Sequence, residues 1–383
     1  MHILIAPNTF KNALAADETA DCIATGLKKS RLSFSSETFP VGDGGDGTGT
    51  LLIKKTGAKI IEAEVRNPLG KKINASFGLT GDGTAIIELA NASGLRLIRP
   101  EEYDPLRTST CGTGDLIKAA LDKNVKRIFL CIGGSATVDG GTGVLQTLGV
   151  QFLDSHYREL SQLPENLKQL AAIDSSLLDQ RLVNTELIIL CDVDNKLLGK
   201  KGAAAVFGPQ KGAKEKDVWE LEKCLSVFTD KTYKKTGINM NALIHGGAAG
   251  GVAAGLAAFL KAKLANGADF FLDYTDFDHA LQQANWVITG EGSLDEQTQQ
   301  GKAPYAVAVR AKKKQIKVAA LAGKIDIRAK SRLRQYFDIL LPINEEPFEL
   351  RMALGETPDN LIKTARKLGD WLSREKTEIF DYT

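Results

Sequence analysis

The sequence predicts an α/β protein in which a domain built on an open parallel sheet is interrupted by a second α/β domain with a mixed sheet. Three observations carry that expectation. Short runs rich in Ile, Leu and Val recur along the chain, each ending in a polar or glycine-rich loop, as buried parallel strands do. Between them lie apolar stripes at spacings of three and four, the mark of helices that cover a sheet. Residues 58–90 break the alternation. There, runs at 60–65, 73–79 and 84–89 follow one another across the turns Asn67-Pro68-Leu69-Gly70 and Thr80-Gly81-Asp82-Gly83, which reads as an antiparallel meander. The expected division gives 1–66 and 285–383 to the parallel-sheet domain and 67–284 to the inserted one, with the active site in the cleft between them.

Ligands of open sheets bind beyond the carboxyl ends of the strands, so each element is read together with the loop that follows it. The run 3–6 leads into Pro7-Asn8-Thr9-Phe10-Lys11-Asn12, where Lys11 offers a point charge to a phosphate or carboxylate. The stripe Ala16, Ala20, Ile23, Leu27 then marks a helix. At 41–48 four glycines surround Asp43 and Asp46, so backbone can approach a ligand while a carboxylate holds a hydroxyl or Mg²⁺. Lys54 at the twelfth position from Asp43 argues against a calcium loop.

After the meander and the helical stripe Leu116, Ile117, Ala120, Leu121 comes the run 128–132, which opens into CIGGSATVDGGTG, Cys131 to Gly143. Gly133 and Gly134 let backbone N–H groups turn inward, Ser135 and Thr137 add hydroxyls, and Gly140-Gly141 opens a helix whose N-terminus favours an anion. This reads as a phosphate cradle, although neither GxxxxGK[ST] nor GxGxxG is present here. Past the run 187–191, Asp192 stands first beyond the strand end, placed for a general base or a metal ligand, with Asp194 close behind. Phe207-Gly208-Pro209-Gln210-Lys211-Gly212 holds a lysine in a constrained loop, and His245-Gly246-Gly247 begins another glycine cluster. The run 286–288 leads into Thr289-Gly290-Glu291-Gly292-Ser293-Leu294-Asp295 with Lys302 beyond, a set suited to nucleotide phosphates or their metal. Runs at 318–321 and 339–341 and the stripe Leu361, Ala365, Leu368, Leu372 complete the pattern.

Composition limits the partners. The 383 residues are 43% hydrophobic and 25% charged with a formal net charge of +2, which gives no pull toward nucleic acid or an anionic membrane and leaves small molecules as the expected partners. The 37 glycines cluster without a fixed period, so they shape loops. Five cysteines form no CxxC pair and read as reduced thiols. Met1 runs directly into a strand without a basic leader, and the Ala- and Gly-rich stretch 246–260 is shorter than the roughly twenty residues of a spanning helix. A cytoplasmic location is expected, with a homodimer left open.

Several of these loops together resemble the bacterial glycerate kinases of the large, two-domain type, over essentially the whole chain. The stretches that carry the resemblance are Pro7-Asn8-Thr9-Phe10-Lys11, Gly42-Asp43-Gly44-Gly45-Asp46-Gly47-Thr48, Glu88-Leu89-Ala90-Asn91-Ala92-Ser93-Gly94, Leu106-Arg107-Thr108-Ser109 and Gly133-Gly134-Ser135-Ala136-Thr137. They continue through Cys191-Asp192-Val193, Gly208-Pro209-Gln210-Lys211-Gly212, Thr289-Gly290-Glu291-Gly292, Gln297-Thr298 and Gly301-Lys302-Ala303-Pro304. The resemblance implies a Rossmann-like domain interrupted by the second one, ATP-dependent phosphorylation of D-glycerate in sugar-acid catabolism, and Mg²⁺. Asn8, Asp46, Val138 and Ser293 stand where the family pattern leads us to expect Asp, Glu, Asn and Arg.

Residue and resemblance together suggest the following roles. Asp192 accepts or orients the proton of the attacking hydroxyl, and Lys11 shares the catalytic work. Arg66, Ser93 and Arg107 bind glycerate. Gly133, Gly134, Ser135, Thr137, Gly290, Glu291 and Lys302 hold the nucleotide, and Asp43 and Asp295 lie near the metal. The 2-phosphate is favoured over the 3-phosphate on the resemblance alone. The rival of a nicotinamide oxidoreductase fails because the first strand-to-helix loop has no glycine. A sugar-acid binding relative without transfer activity, or a kinase of another small hydroxy acid, are the remaining alternatives.

Overall fold

The chain alternates strand and helix as its apolar runs and stripes predict. The structure is a computed structural model that describes residues 1–296, 298, 301–344 and 349–374; Gln297 of the matched stretches lies outside the described residues. In chain order the strands are β1 (His2–Ile5), β2 (Ser35–Thr38), β3 (Lys59–Arg66), β4 (Lys72–Leu79), β5 (Thr84–Glu88), β6 (Arg127–Cys131), β7 (Gln151–Leu153), β8 (Ala172–Asp174), β9 (Glu186–Cys191), β10 (Lys263–Asn266), β11 (Trp286–Leu294), β12 (Lys317–Ile325) and β13 (Ile339–Pro342). The chain divides into two units, Met1–Asp43 with Ala268–Thr383, and Gly44–Gly267. Among the described residues no helix is long and apolar enough to cross a membrane.

The first unit is a five-stranded sheet in the order β13-β12-β11-β1-β2, parallel throughout. Ile3, Ile5, Ile288 and Leu321 meet Ile23, Leu27, Leu361 and Leu368 from two helices in one buried cluster. Those helices, Ala16–Lys28 and Thr357–Arg374, cross closely because Gly26 leaves room for the Ile362 carbonyl and the Ala365 methyl. Strand order reverses between β1 and β11, so the loops beyond these two strands flank the switch point where open sheets bind ligands.

In the second unit a six-stranded sheet runs β10-β9-β6-β5-β4-β3. The strands β10, β9, β6 and β5 are parallel, and β4 and β3 extend the sheet antiparallel, so it is mixed as expected. Ile87, Leu130 and Ile189 from the parallel strands share one core with Leu116, Phe228 and Val252. A separate antiparallel pair, β7 and β8, completes the unit.

Two expectations change. The division at 66 and 285 moves to 43 and 268: β3 pairs along its whole length with β4, from Lys59 opposite Leu79 to Arg66 opposite Lys72, and so goes with the second unit. The segment from Ala268 joins the first unit, where Phe277 meets Phe39 edge to face at 5.1 Å. The strand read at 286–288 also continues to Leu294, in register with β12 as far as Ile325. Gly290 and Glu291 therefore lie within a strand. Gly290 is there for packing, because a Cβ would run into the Leu321 carbonyl oxygen.

Candidate active site

Strands β5, β6 and β9 lie side by side and end together, with Glu88 opposite Cys131 and Cys131 opposite Leu190. The residues just beyond are Ile132 and Gly133 on one strand and Asp192 on the next. The Gly44-Gly45-Asp46 segment is packed against both. A Cβ on Gly44, at φ +90°, would lie 2.8 Å from the Leu190 carbonyl, and the Gly133 amide donates to Gly44 O at 3.2 Å. Only glycine allows this approach.

The turn at 133–137 is fixed on all sides. Leu95 N donates to Gly134 O at 2.9 Å, Ala136 N donates to Ser93 O at 2.9 Å, and Thr108 Oγ1 donates to Ala136 O at 2.9 Å. Gly134 is exposed at φ +70°. The N–H groups of Gly134 and Ser135 make no hydrogen bond to any described residue, so two successive amides remain available, the arrangement of an anion-binding nest. Lys211 lies beneath the turn, 3% exposed, donating to Ser135 Oγ and to Thr137 O at 2.7 Å each.

The helix that follows, Thr142–Thr147, does not serve as the anion site expected of it. Its N-terminal amides are taken by the protein's own Asp139, which is fully buried and accepts from Gly141 N at 3.0 Å, Gly143 N at 3.2 Å, Thr110 N at 2.9 Å and Thr110 Oγ1 at 2.7 Å. Burial pushes the Asp139 carboxyl upward while the Thr110 bonds oppose the shift.

Ser93 is buried, and its Oγ accepts from Thr113 Oγ1 at 2.8 Å. It is therefore built into the wall behind the turn. Arg66 is committed elsewhere: its guanidinium grips Asp115 at 2.8 and 2.7 Å and donates to Thr147 Oγ1 at 2.8 Å, tying the end of β3 to the helix Cys111–Leu121. A substrate carboxylate would have to displace Asp115. Arg107 is 71% exposed and lies 3.7 Å from Asp104 and 4.0 Å from Glu165, loose pairs that a ligand can replace. Asp192 is half-buried at the end of β9. Beside it, His245 Nδ1 lies 2.8 Å from Val193 O and 3.0 Å from Asp194 Oδ1.

In the first unit the residues at the switch point form a charged group. Glu291 is buried on β11, and burial pushes its carboxyl up to about 8, opposed by Lys302 and reinforced by Asp43 and Asp295. Lys302 Nζ stands 3.8 Å from Glu291 and 3.6 Å from Asp295, at the start of the helix Ala303–Lys313. Asn8 donates to Asp43 at 2.6 Å. Lys11 is exposed in the loop beyond β1, its backbone beside Gly292. Ser293 is exposed and has Lys324 as its partner on β12.

Among the described residues no group of three or more His, Cys, Asp or Glu forms a ready metal cage. The donor chemistry nevertheless suits Mg²⁺. Asp43, Glu291 and Asp295 are hard oxygen donors, the two aspartates adding to the upward shift of the Glu291 carboxyl, and this ion takes only one or two carboxylates when phosphates supply the rest. A cavity of about 930 Å³ lies beyond β12 and β13, lined by Lys324, Lys330, Asn344, Lys363 and Lys367 among others, and contains none of the predicted site residues.

Sequence reasoning missed one cation at the turn and the placement of another there. Arg96 lies 3.3 Å from Asp46, whose carboxylate carbon is as close to the position of a Cβ on Gly134. Lys211 was visible as a lysine in a constrained loop, but its partner is 76 residues away and no spacing rule links them.

The glycerate kinase family model matches residues 3–373. Over 378 residues the chain is 42% identical to a glycerate kinase of Bacillus subtilis (strain 168), covering 98% of this chain and 99% of that one. It is 41% identical over 326 residues to the glycerate 2-kinase of Escherichia coli (strain K12), covering 85% and 86%. A crystal structure from Salmonella typhimurium LT2, assigned as glycerate kinase 2, superposes with a TM-score of 0.81 at 38% identity over 99% of this chain and 100% of that one. The strand-end loops and these end-to-end matches agree, and the chain belongs to the glycerate kinase family.

Proposed function

We propose that the protein transfers the γ-phosphoryl group of ATP to the 2-hydroxyl of D-glycerate. The observation that carries this reading is the open pair of amides at Gly134 and Ser135, one strand away from the Asp192 carboxylate. An anion-binding turn beside a carboxylate at adjacent strand ends is what phosphoryl transfer to an alcohol requires.

In this reading the phosphates of ATP lie against Gly133, Gly134, Ser135 and Thr137, with Arg96 adding charge at the rim. The glycerate hydroxyl oxygen attacks the γ-phosphorus, the bond from that phosphorus to the bridging oxygen of ADP breaks, and the hydroxyl proton passes to Asp192. Arg107 is the cation for the glycerate carboxylate, since Arg66 is held by Asp115. Asp43 and Asp295 would hold Mg²⁺, with Glu291 behind them and Lys302 balancing their charge. When bound, the ion neutralises charge on the transferring phosphates. The choice of the 2-hydroxyl rests on the E. coli relative, which is named a glycerate 2-kinase. The substrates are small molecules, the role is in sugar-acid catabolism, and light scattering of the purified protein would test for a homodimer.

Phosphorus NMR of the protein with D-glycerate, ATP and Mg²⁺ tests the reading. The expected result is ADP together with 2-phosphoglycerate. A 3-phosphoglycerate signal would keep the kinase and overturn the position. Glycerate binding without ADP formation would identify a binding protein, and transfer to another hydroxy acid alone would overturn the substrate.

A further inference from the structure

We propose that Lys211 is a positioning residue of the phosphate-binding turn and that it acts on the nucleotide through Ser135. The proposal rests on the reading that ATP phosphates occupy the turn at 133–137. An ammonium group removed from water is costly unless its donors are satisfied, and Lys211 is only 3% exposed. Two of its donors go to this one turn, to Ser135 Oγ and Thr137 O at 2.7 Å each. The loop that delivers it is itself held: Gly212 adopts φ +96°, and the Tyr103 carbonyl occupies the space a Cβ would need. The lysine therefore reaches the turn from a fixed support.

Donor accounting gives the consequence. Ser135 Oγ accepts from Lys211, so its own hydroxyl hydrogen is left to donate, and in this proposal it donates to the anion bound at the turn. The chain runs from ammonium to hydroxyl to bound anion, each link polarising the next. Lys211 thus contributes in two ways without touching the ligand: it fixes the direction in which the Ser135 hydroxyl donates, and it places a positive charge behind the nest. The ligand class it favours is a phosphate-bearing anion, here the nucleotide.

Four variants test this: Lys211→Met, Ser135→Ala, the double variant, and Gly134→Val, which puts a branched side chain at a φ of +70°. The readouts are KM for ATP, KM for glycerate, and ATP affinity by titration calorimetry without glycerate. Lys211→Met is expected to raise KM for ATP and weaken ATP binding by about 10- to 100-fold while leaving KM for glycerate within about threefold. Ser135→Ala is expected to do the same to a smaller extent, and the double variant to lose little more than Lys211→Met alone. A proportional rise in both KM values, or additive losses in the double variant, overturns the proposal. If Lys211→Met does not fold, Ser135→Ala decides alone, and unchanged ATP affinity overturns it. If Gly134→Val and Ser135→Ala both leave ATP binding intact, the turn is not the nucleotide site, and the reading on which the proposal rests fails with it.

Discussion

Glu291 is a buried carboxyl group, and the stability of the protein should register its proton. Its folded-state pKa, pushed up to about 8, stands above the ordinary value of 4.5. Between these values the folded chain keeps a proton that the unfolded chain releases, so this contribution is complete below about pH 4.5 and is lost as pH rises toward 8, by at most about 1.4 kcal/mol per pH unit. Glu291→Gln stays neutral in both states. Its melting temperature relative to wild type should therefore rise between pH 5.5 and pH 8, and a constant difference across that range would mean that Glu291 is charged in the folded protein. At Asp192 the measurement is kinetic: Asp192→Asn should lower kcat about 10²- to 10⁴-fold with an unchanged circular dichroism spectrum, and near-normal turnover would remove it as the proton acceptor. The strand-end positions of Asp192 and Gly134 were legible because these residues follow apolar runs. The commitment of Arg66 to Asp115 was not, because the partner is 49 residues away and only the fold brings the two together.

The helices Ala16–Lys28 and Thr357–Arg374 meet through glycine, and that crossing is where an element can be tested. In Gly26→Ala the new methyl faces a backbone carbonyl at Ile362, which cannot rotate aside, and a methyl at Ala365. Overpacking of this kind costs about 1–3 kcal/mol, enough to lower the melting temperature by several degrees. An unchanged value would mean that the helices can separate without loss. Both helices were legible from their stripes, since their apolar residues recur at three and four. The short edge strand β2 was not, because Ser35-Ser36-Glu37-Thr38 has no apolar residue to mark it. The length of β11 was hidden for a different reason. Gly290 and Gly292 look like loop residues in a sequence, and here Gly290 lets the Leu321 backbone approach within the sheet.

At the scale of the whole molecule, each unit has a buried apolar cluster of its own among the described residues, and two cooperative transitions are expected. Scanning calorimetry should give a calorimetric enthalpy above the van't Hoff enthalpy, and a single transition with equal enthalpies would show that the units unfold as one. The α/β class, the parallel sheet and the inserted mixed sheet were legible because strand periodicity is local. The boundaries were not, because membership of a unit is decided by which strands pair, and β3 finds its partner in β4. The order of the strands has a further consequence for how the chain is made. Strand β1 is an inner strand of its sheet, flanked by β2 and by β11, which begins at Trp286. At ordinary translation speeds of about 5–20 residues per second, the interval between synthesis of these two neighbours is on the order of 10–60 s. Through that interval the contiguous second unit can emerge and close its own core, while the β11-facing edge of β1 must wait on the nascent chain. Any product ending before β11 keeps that edge open for good, and so carries a template for pairing with another chain.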